Sequence, residues 1–351
     1  MKFRTFPNTD LSVSEVGFGL WTISTGWWGD YTEEQAITLL HQARDAGINF
    51  FDTADTYKNG YGEELLQKAF GKNPSDVIYA TKFGYDIYSE GANERRGQNE
   101  LPQRYDAEFL RYACEQSLTR LGVDSIPIWQ VHNAHFSAVQ NDDLWATLEV
   151  LKDEGKIRHA GVAVGPANGW LAEGIAAMRH RDIVALQIIH NILEQHPGGD
   201  FFPDARAHNV GLMVRVPHSS GMLEGHYTAD TVFPPNDHRR HRPQSWLING
   251  VKKIETLKFL TEGRDQTLGQ ASIKFILNEP SVTTVLPNIY NVEQLNEFAA
   301  ASDLPDLTED DLRKIAKLEA INFGVEEEPM KMKGDPMSSL DEWESQLKVA
   351  S

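Results

Sequence analysis

Short apolar runs alternate along this chain with longer stretches whose apolar residues recur every three or four positions. The first pattern marks buried strands and the second amphipathic helices. After RTFPNTDLSV, which reads as a hairpin turning at Asn8-Thr9-Asp10, the run VGFGLW (16–21) predicts a first strand. Thr32, with Glu33 and Glu34 behind it, caps a helix ending at Gly47. A strand at 48–52, a helix near 61–70 stopped by Gly71 and a strand at 77–81 follow. Beyond a polar loop (85–104), Asp106 caps a helix on which Leu110, Cys114, Leu118 and Leu121 share a face. The alternation continues with strand 126–131, helix 141–154, strand 157–164, helix 168–179, strand 183–189, a short helix near 201–209 and strand 211–216. A long loop, 218–248, precedes helices near 249–261 and 267–278, a last strand at 281–287, and helices at 291–301 and 308–321.

About eight strands, each followed by a helix, favour parallel pairing with right-handed crossovers. The expected fold is α/β, a (β/α)8 TIM barrel with an N-terminal β-hairpin and extra C-terminal helices, built as one domain over residues 1–323. Residues 324–351 break the pattern. They hold seven acidic residues against three lysines, with two prolines. This acidic tail is expected to have low order, or to form a strap over a neighbour through Leu340 and Trp343.

Composition narrows the partners. The net charge of −18 over 351 residues argues against nucleic acid and anionic membranes. No run of about 18 apolar residues occurs, and MKFRTFPNTD has no apolar signal core. The lone cysteine, Cys114, reads as a buried small hydrophobe, and its solitude fits a reducing, cytoplasmic setting. A small-molecule substrate is expected, and a homo-oligomer stays open.

The chemistry collects at strand ends. FFDTADTYKNG (50–60) opens as a strand, turns polar at Asp52 and carries Tyr57 in the loop beyond; VIYATKF carries Lys82, and IPIWQVH ends at His132. In a parallel barrel these ends share one mouth. A phenol is a reluctant proton donor at neutral pH, but an adjacent ammonium favours the phenolate and lowers its pKa. Asp52 would hold that ammonium, and His132 would bond the oxygen that Tyr57 protonates. Such a group moves a proton to or from a carbonyl or alcohol oxygen. Singly, each residue has a blander reading as cap, packing or solvated charge. Trp21, Tyr85 and Trp129 lie near strand ends and are candidate substrate contacts, with packing the alternative for Trp129. The basic run 238–242 and the run 93–96 read as loop tips, with a phosphate clamp the alternative for the former.

FFDTADTYKNGYGEELLQKAF, VIYATKFG, EQSLTRLGVDSIPIWQVHN and SVTTVLPNIYNVEQLNEFAAA resemble the aldo-keto reductases, in order and at that family's spacing from about Thr5 to Asn322. The resemblance implies NADP(H) or NAD(H) bound across the barrel mouth, hydride transfer to a carbonyl, and Tyr57 as general acid/base helped by Lys82, Asp52 and His132. It also implies that Gln187 bonds the nicotinamide carboxamide and that Arg215 stands where many members stack an aromatic residue on the ring. The amides of Ser219, Gly221 and Leu223 would face the pyrophosphate. The usual Ser-Asn pair is Ala163-Val164 here, the arginine for the adenosine 2′-phosphate falls at Tyr290, and the adenine-binding asparagine falls at Phe298, while Gln294 and Glu297 remain. Tyr290 offers an adenine stack instead. Other readings are a nicotinamide-binding regulatory subunit and a metal-dependent barrel hydrolase using His132, His135, Asp52 and Asp55. The latter would leave Tyr57 and Lys82 idle.

Overall fold

A computed structural model describes residues 1–89, 100–235, 237–328 and 330–350, for Ala350 the backbone alone. The run 93–96 therefore lies outside the described residues. Phe3–Thr5 (β1) and Ser12–Ser14 (β2) pair antiparallel as the expected hairpin. Eight strands follow: Phe18–Gly19 (β3), Phe50–Asp52 (β4), Ile78–Phe83 (β5), Ile126–His132 (β6), Ile157–Ala163 (β7), Ala185–Ile189 (β8), Gly211–Arg215 (β9) and Val282–Leu286 (β10). Each pairs with its neighbour in sequence, and every pairing is parallel. A parallel bridge from Val16 to Val285 brings the last strand back to the first. The architecture is the expected (β/α)8 barrel.

Helix starts follow the capping signals. Thr32, Thr267 and Thr308 each accept from the backbone three residues on, with the side chain there reaching back, and Asp106 accepts from Phe109 N at 3.0 Å. On the helix Ala107–Leu121, Cys114 is buried and burial pushes its thiol up to about 12, as befits a packing residue.

Strand registers decide which side chains face the barrel axis. Asp52 sits opposite Ala80, Lys82 opposite Gln130, Ala163 opposite Gln187, and Gln187 opposite Met213. Because side chains alternate, one parity of each strand points inward and the other toward the helices. Low in the barrel the inward set is apolar: Phe50, Ala80, Ile128, Ala185, Met213 and Leu286 pack against Phe6, Leu11 and Val13 of the hairpin region. Each of the larger side chains in this set, the alanines apart, contributes roughly 1.5–3 kcal/mol. Higher in the barrel the same parity turns polar. Gly161 makes room there, because a Cβ would come within 3.1 Å of the Gln130 side chain.

Three expectations are corrected. The strand predicted over 16–21 is short: Leu20 N makes a last bond to Asp52 O at 2.9 Å, and Trp21–Ser24 then forms one helical turn. The helix expected near 249–261 spans Gln244–Glu255, because Pro243 ends the preceding loop and cannot continue a helix backwards. The tail is not of low order throughout. Lys333 pairs with Asn168 and Trp170, Asp335 N donates to Glu173 Oε1 at 2.7 Å, and a helix runs over Met337–Ala350. Leu340 and Trp343, three residues apart, share the buried side of that helix, with Trp343 edge-on to Phe136 and His180. Among the described residues no helix is long and apolar enough to cross a membrane.

Candidate active site

The polar upper layer of the barrel is a connected set of hydrogen bonds. Lys82 Nζ, 1 % exposed, donates to Asp52 Oδ2 at 2.6 Å and to the Thr53 carbonyl at 2.7 Å, and reaches the Tyr57 hydroxyl at 3.4 Å. The other Asp52 oxygen accepts from Gln130 Nε2 and Gln187 Nε2, both at 3.0 Å. The carboxylate is thus held from three strands and fixes the lysine below the phenol. Tyr57 stands in the loop after β4, which Lys58, Asn59 and Gly60 turn through successive left-handed conformations. Asn and Gly tolerate that region best, which accounts for the KNG run. The His132 ring lies edge-on to Tyr57 with centroids 6.3 Å apart, and Thr56 Oγ1 sits 3.4 Å from its Nδ1. Gln103 Nε2 holds the end of β6 through the carbonyls of His132 and Asn133.

The electrostatics sort these groups into roles. Burial would lower the Lys82 ammonium, but Asp52 and Tyr57 outweigh it and hold its pKa above the usual value. For Tyr57 burial is the largest influence and raises the phenol, against the pull of Lys82 and Arg215. The expectation that the lysine would bring this phenol below its ordinary range is therefore corrected for the ligand-free site: desolvation wins, and Tyr57 is a protonated donor at neutral pH. Burial, then Lys82 and Arg215, push the His132 imidazole well below its usual range, so it is neutral.

Arg215 ends β9. Its Nη2 donates to the carbonyls of Val164, at 2.9 Å, and Gly165, and its buried Nε has no partner. It thus bridges to the segment where Ala163-Val164 replaces the expected Ser-Asn. Beyond it, Ser219, Ser220 and Gly221 all have positive φ. The expected trio of phosphate-facing amides is revised here. Ser219 N and Leu223 N close the loop onto Val216 O and His218 O, whereas Ser220 N and Gly221 N have no acceptor among the described residues. Two adjacent free amides in a strained loop suit an anionic group. Tyr290 and Gln294 approach this loop through Glu224, at 3.1 and 2.8 Å, and Glu297 accepts from Thr267. Tyr290 also stacks on Trp28, with centroids 6.1 Å apart. Phe298 is fully buried against His218.

Of the substrate candidates, Tyr85 lies edge-on to His132 at 5.2 Å and bonds Glu100 and Asn133, while Trp21 packs on Trp28 and His238. Trp129 does not belong with them. Gln130 points inward, so Trp129 points outward, where it is fully buried and stacked on Phe83 at 3.7 Å. Trp129→Ala should cost about 3–5 kcal/mol in stability and leave KM unchanged; a raised KM in a stably folded variant would place the indole in the pocket. The basic run is not a free tip either. Arg239 is clasped by Asp237, bonds Tyr227 and lies 4.1 Å from the Trp28 ring centroid, while Arg240 is exposed. Gln130 and Glu224 were missed in the sequence. Gln130 was detectable, because it shares strand parity with His132.

A barrel whose mouth holds this tyrosine, lysine, aspartate and histidine is the architecture of an oxidoreductase family. The sequence model of the Aldo/keto reductase family matches residues 15–320, and the chain belongs to that family. An uncharacterized oxidoreductase, YqkF, of Bacillus subtilis is 27% identical over 321 residues, covering 90% of this chain and 95% of the relative. An NADH-specific methylglyoxal reductase of Escherichia coli is 28% identical over 315 residues, covering 87% and 94%. The holo form of an aldo-keto reductase of Bacillus halodurans superposes with a TM-score of 0.72 at 26% identity, covering 91% and 96%. Aldo-keto reductases are oxidoreductases that typically use NAD(P)H. The free amides after β9, the orphaned Arg215 Nε and the polar barrel mouth fit such a nucleotide. Among the described residues no three His, Cys, Asp or Glu side chains gather where they could hold a metal ion.

Proposed function

We propose that this chain reduces an aldehyde, ketone or sugar carbonyl, or oxidises the matching alcohol, with Tyr57 as general acid/base. The observation that carries this reading is the contact of the Tyr57 hydroxyl with a lysine locked on a buried aspartate. Bound NAD(P)H supplies the hydride to the carbonyl carbon. Tyr57 gives its proton to the carbonyl oxygen, so hydride and proton together add two electrons and two protons and leave an alcohol. Lys82 stabilises the phenolate left behind, and Asp52 keeps that cation in place. His132, neutral and beside Tyr57, donates an N–H to the same oxygen and orients it. Gln187 and Arg215 would hold the nicotinamide end, and Ser220 and Gly221 the pyrophosphate. Trp21 and Tyr85 line the approach of the substrate. A regulatory subunit would need the nucleotide but no proton donor; the bonded Lys82–Tyr57 pair favours turnover.

The test combines binding with turnover. Titration with NADH and NADPH should quench tryptophan fluorescence with saturation for at least one of them. A panel of aldehydes, ketones and sugars should then show consumption of that nucleotide at 340 nm. Saturable binding with no turnover across the panel would favour the regulatory reading instead.

A further inference from the structure

We propose that Glu63, acting through Arg120 and Thr81, is a positioning residue that holds Tyr57 over Lys82; this rests on the reading above that Tyr57 is the general acid/base. Glu63 has no place in the polar layer of the barrel mouth. It lies in the first turn of the helix Tyr61–Phe70, behind the barrel wall, and is fully buried. Its two oxygens serve separate parts of the structure. Oε1 accepts from Thr81 Oγ1 at 2.6 Å, and Oε2 accepts from Arg120 Nε at 2.6 Å.

Each bond leads to one half of the proton-transfer pair. Thr81 precedes Lys82 on β5, opposite Trp129, so its side chain points outward to the helices while that of Lys82 points inward. Arg120 lies directly against Gly60, which ends the Tyr57 loop: a Cβ on Gly60 would come within 2.4 Å of the Arg120 Cδ and 2.5 Å of its Nε. Arg120 is itself fixed, donating through Nη2 to the Tyr88 hydroxyl at 3.1 Å and to Ser117 Oγ at 3.4 Å. Just beyond Gly60, Gly62 N closes the loop on Tyr57 O at 3.3 Å, and a Cβ on Gly62 would come within 3.3 Å of the Tyr57 Cβ. One carboxylate thus ties the strand that carries the ammonium to the turn that carries the phenol.

The contact it governs is sensitive to position. The Tyr57 hydroxyl stands 3.4 Å from Lys82 Nζ, near the outer limit of a hydrogen bond, so a small shift decides whether the bond is made. Lys82 is held by Asp52 and by the Thr53 carbonyl, which leaves the Tyr57 loop as the part free to move. Asp55, two residues before Tyr57, is the other carboxyl near the pair. Its N–H donates to Lys82 O at 3.3 Å, and its buried oxygens have no hydrogen-bond partner. Burial, then Glu63, push that carboxyl well above the ordinary range, which favours its neutral form and leaves Arg120 to Glu63.

Full-length variants test this, with reduction of the fastest of 4-nitrobenzaldehyde, butanal, cyclohexanone and D-xylose as the readout. Glu63→Gln keeps an acceptor for Thr81 but can set an amide donor against the Arg120 guanidinium. Its kcat per folded molecule should fall by roughly 10- to 100-fold, the scale of loss when a reacting group is misplaced by up to about 1 Å. The KM for the nucleotide should stay within about twofold of native. The solvent deuterium isotope effect on kcat should rise, because a badly placed phenol slows proton transfer relative to every other step. Arg120→Met should behave alike, and the double variant should lose no more than either alone, as residues acting through one contact do. Thr81→Val removes only the hydroxyl and should raise the isotope effect in the least disturbed fold. A purely structural role predicts lower stability in urea, with kcat per folded molecule and the isotope effect unchanged. That result in Glu63→Gln, or in Thr81→Val where Glu63→Gln does not fold, would overturn the inference, as would additive losses in the double variant. Those outcomes leave Tyr57 as the acid. An active Tyr57→Phe, or a native chain that turns over none of the four carbonyls, would overturn both readings.

Discussion

Tyr57→Phe should lower turnover by on the order of 10²–10⁴, the usual contribution of a positioned general acid, while nucleotide affinity stays within about twofold. The substitution keeps the ring and its edge-on packing against His132 and removes only the hydroxyl that Lys82 reaches. The loss should fall on kcat, because the missing interaction is made to the reacting oxygen in the transition state. The pH dependence follows from the same geometry. Burial holds the Tyr57 phenol above its ordinary value, so the acid form persists through neutral pH. Carbonyl reduction should therefore be level from about pH 6 to 9 and fall only when the medium becomes alkaline enough to strip the phenol. Oxidation of an alcohol needs the phenolate and should rise with pH. His132 cannot replace the tyrosine as the acid, since burial, Lys82 and Arg215 keep its imidazole neutral, and a neutral imidazole N–H is a hydrogen-bond donor but a far weaker acid than a phenol. A reduction profile that falls near pH 7, or a Tyr57→Phe enzyme with more than about a tenth of native turnover, would move the acid role to another group.

The barrel was legible because its signal is redundant. Eight apolar runs with helical periodicity between them leave few topologies open, and the caps read at Thr32 and Asp106 mark helix starts within a residue or two. The proton-transfer group was legible for a related reason: a charged residue ending an apolar strand stands out. What stayed hidden depends on parity and on long-range partners. Trp129 sits one residue from inward-facing Gln130, and nothing local says which of the two enters the barrel; that is fixed by register with Lys82. Leu340 and Trp343 were legible as anchors of a strap, one of two readings of the acidic tail, and only the face of the helices beneath decides for it over low order. Glu224 reads as one more loop carboxylate until the fold carries Tyr290 and Gln294 to it from 66 and 70 residues away. The direction of the Tyr57 shift was missed because a sequence shows the lysine but not the depth at which the pair is buried.

Lys82→Met should be both inactive and less stable by about 3–5 kcal/mol, the cost of removing one partner of a buried ion pair. Methionine fills the volume of the lysine stem, so the effect isolates the ammonium. Without it, Asp52 Oδ2 and the Thr53 carbonyl lose donors at 2.6 and 2.7 Å, in a place water does not reach. Gln130 and Gln187 still serve the other oxygen, which is why the fold should survive. The sign of the pH dependence is set by the lysine itself. Its folded pKa is raised above the ordinary value, so its contribution is fully present below the unfolded pKa of about 10.4 and is lost only as pH climbs through the folded value. Chemical denaturation should therefore give the same native-to-variant difference at pH 6 and pH 9. Adding Asp52→Asn to Lys82→Met should return part of the lost stability by removing the stranded charge, and none of the turnover, because the phenol still lacks its cation. If the double variant recovered activity, the lysine would be a support for the barrel and not for the proton.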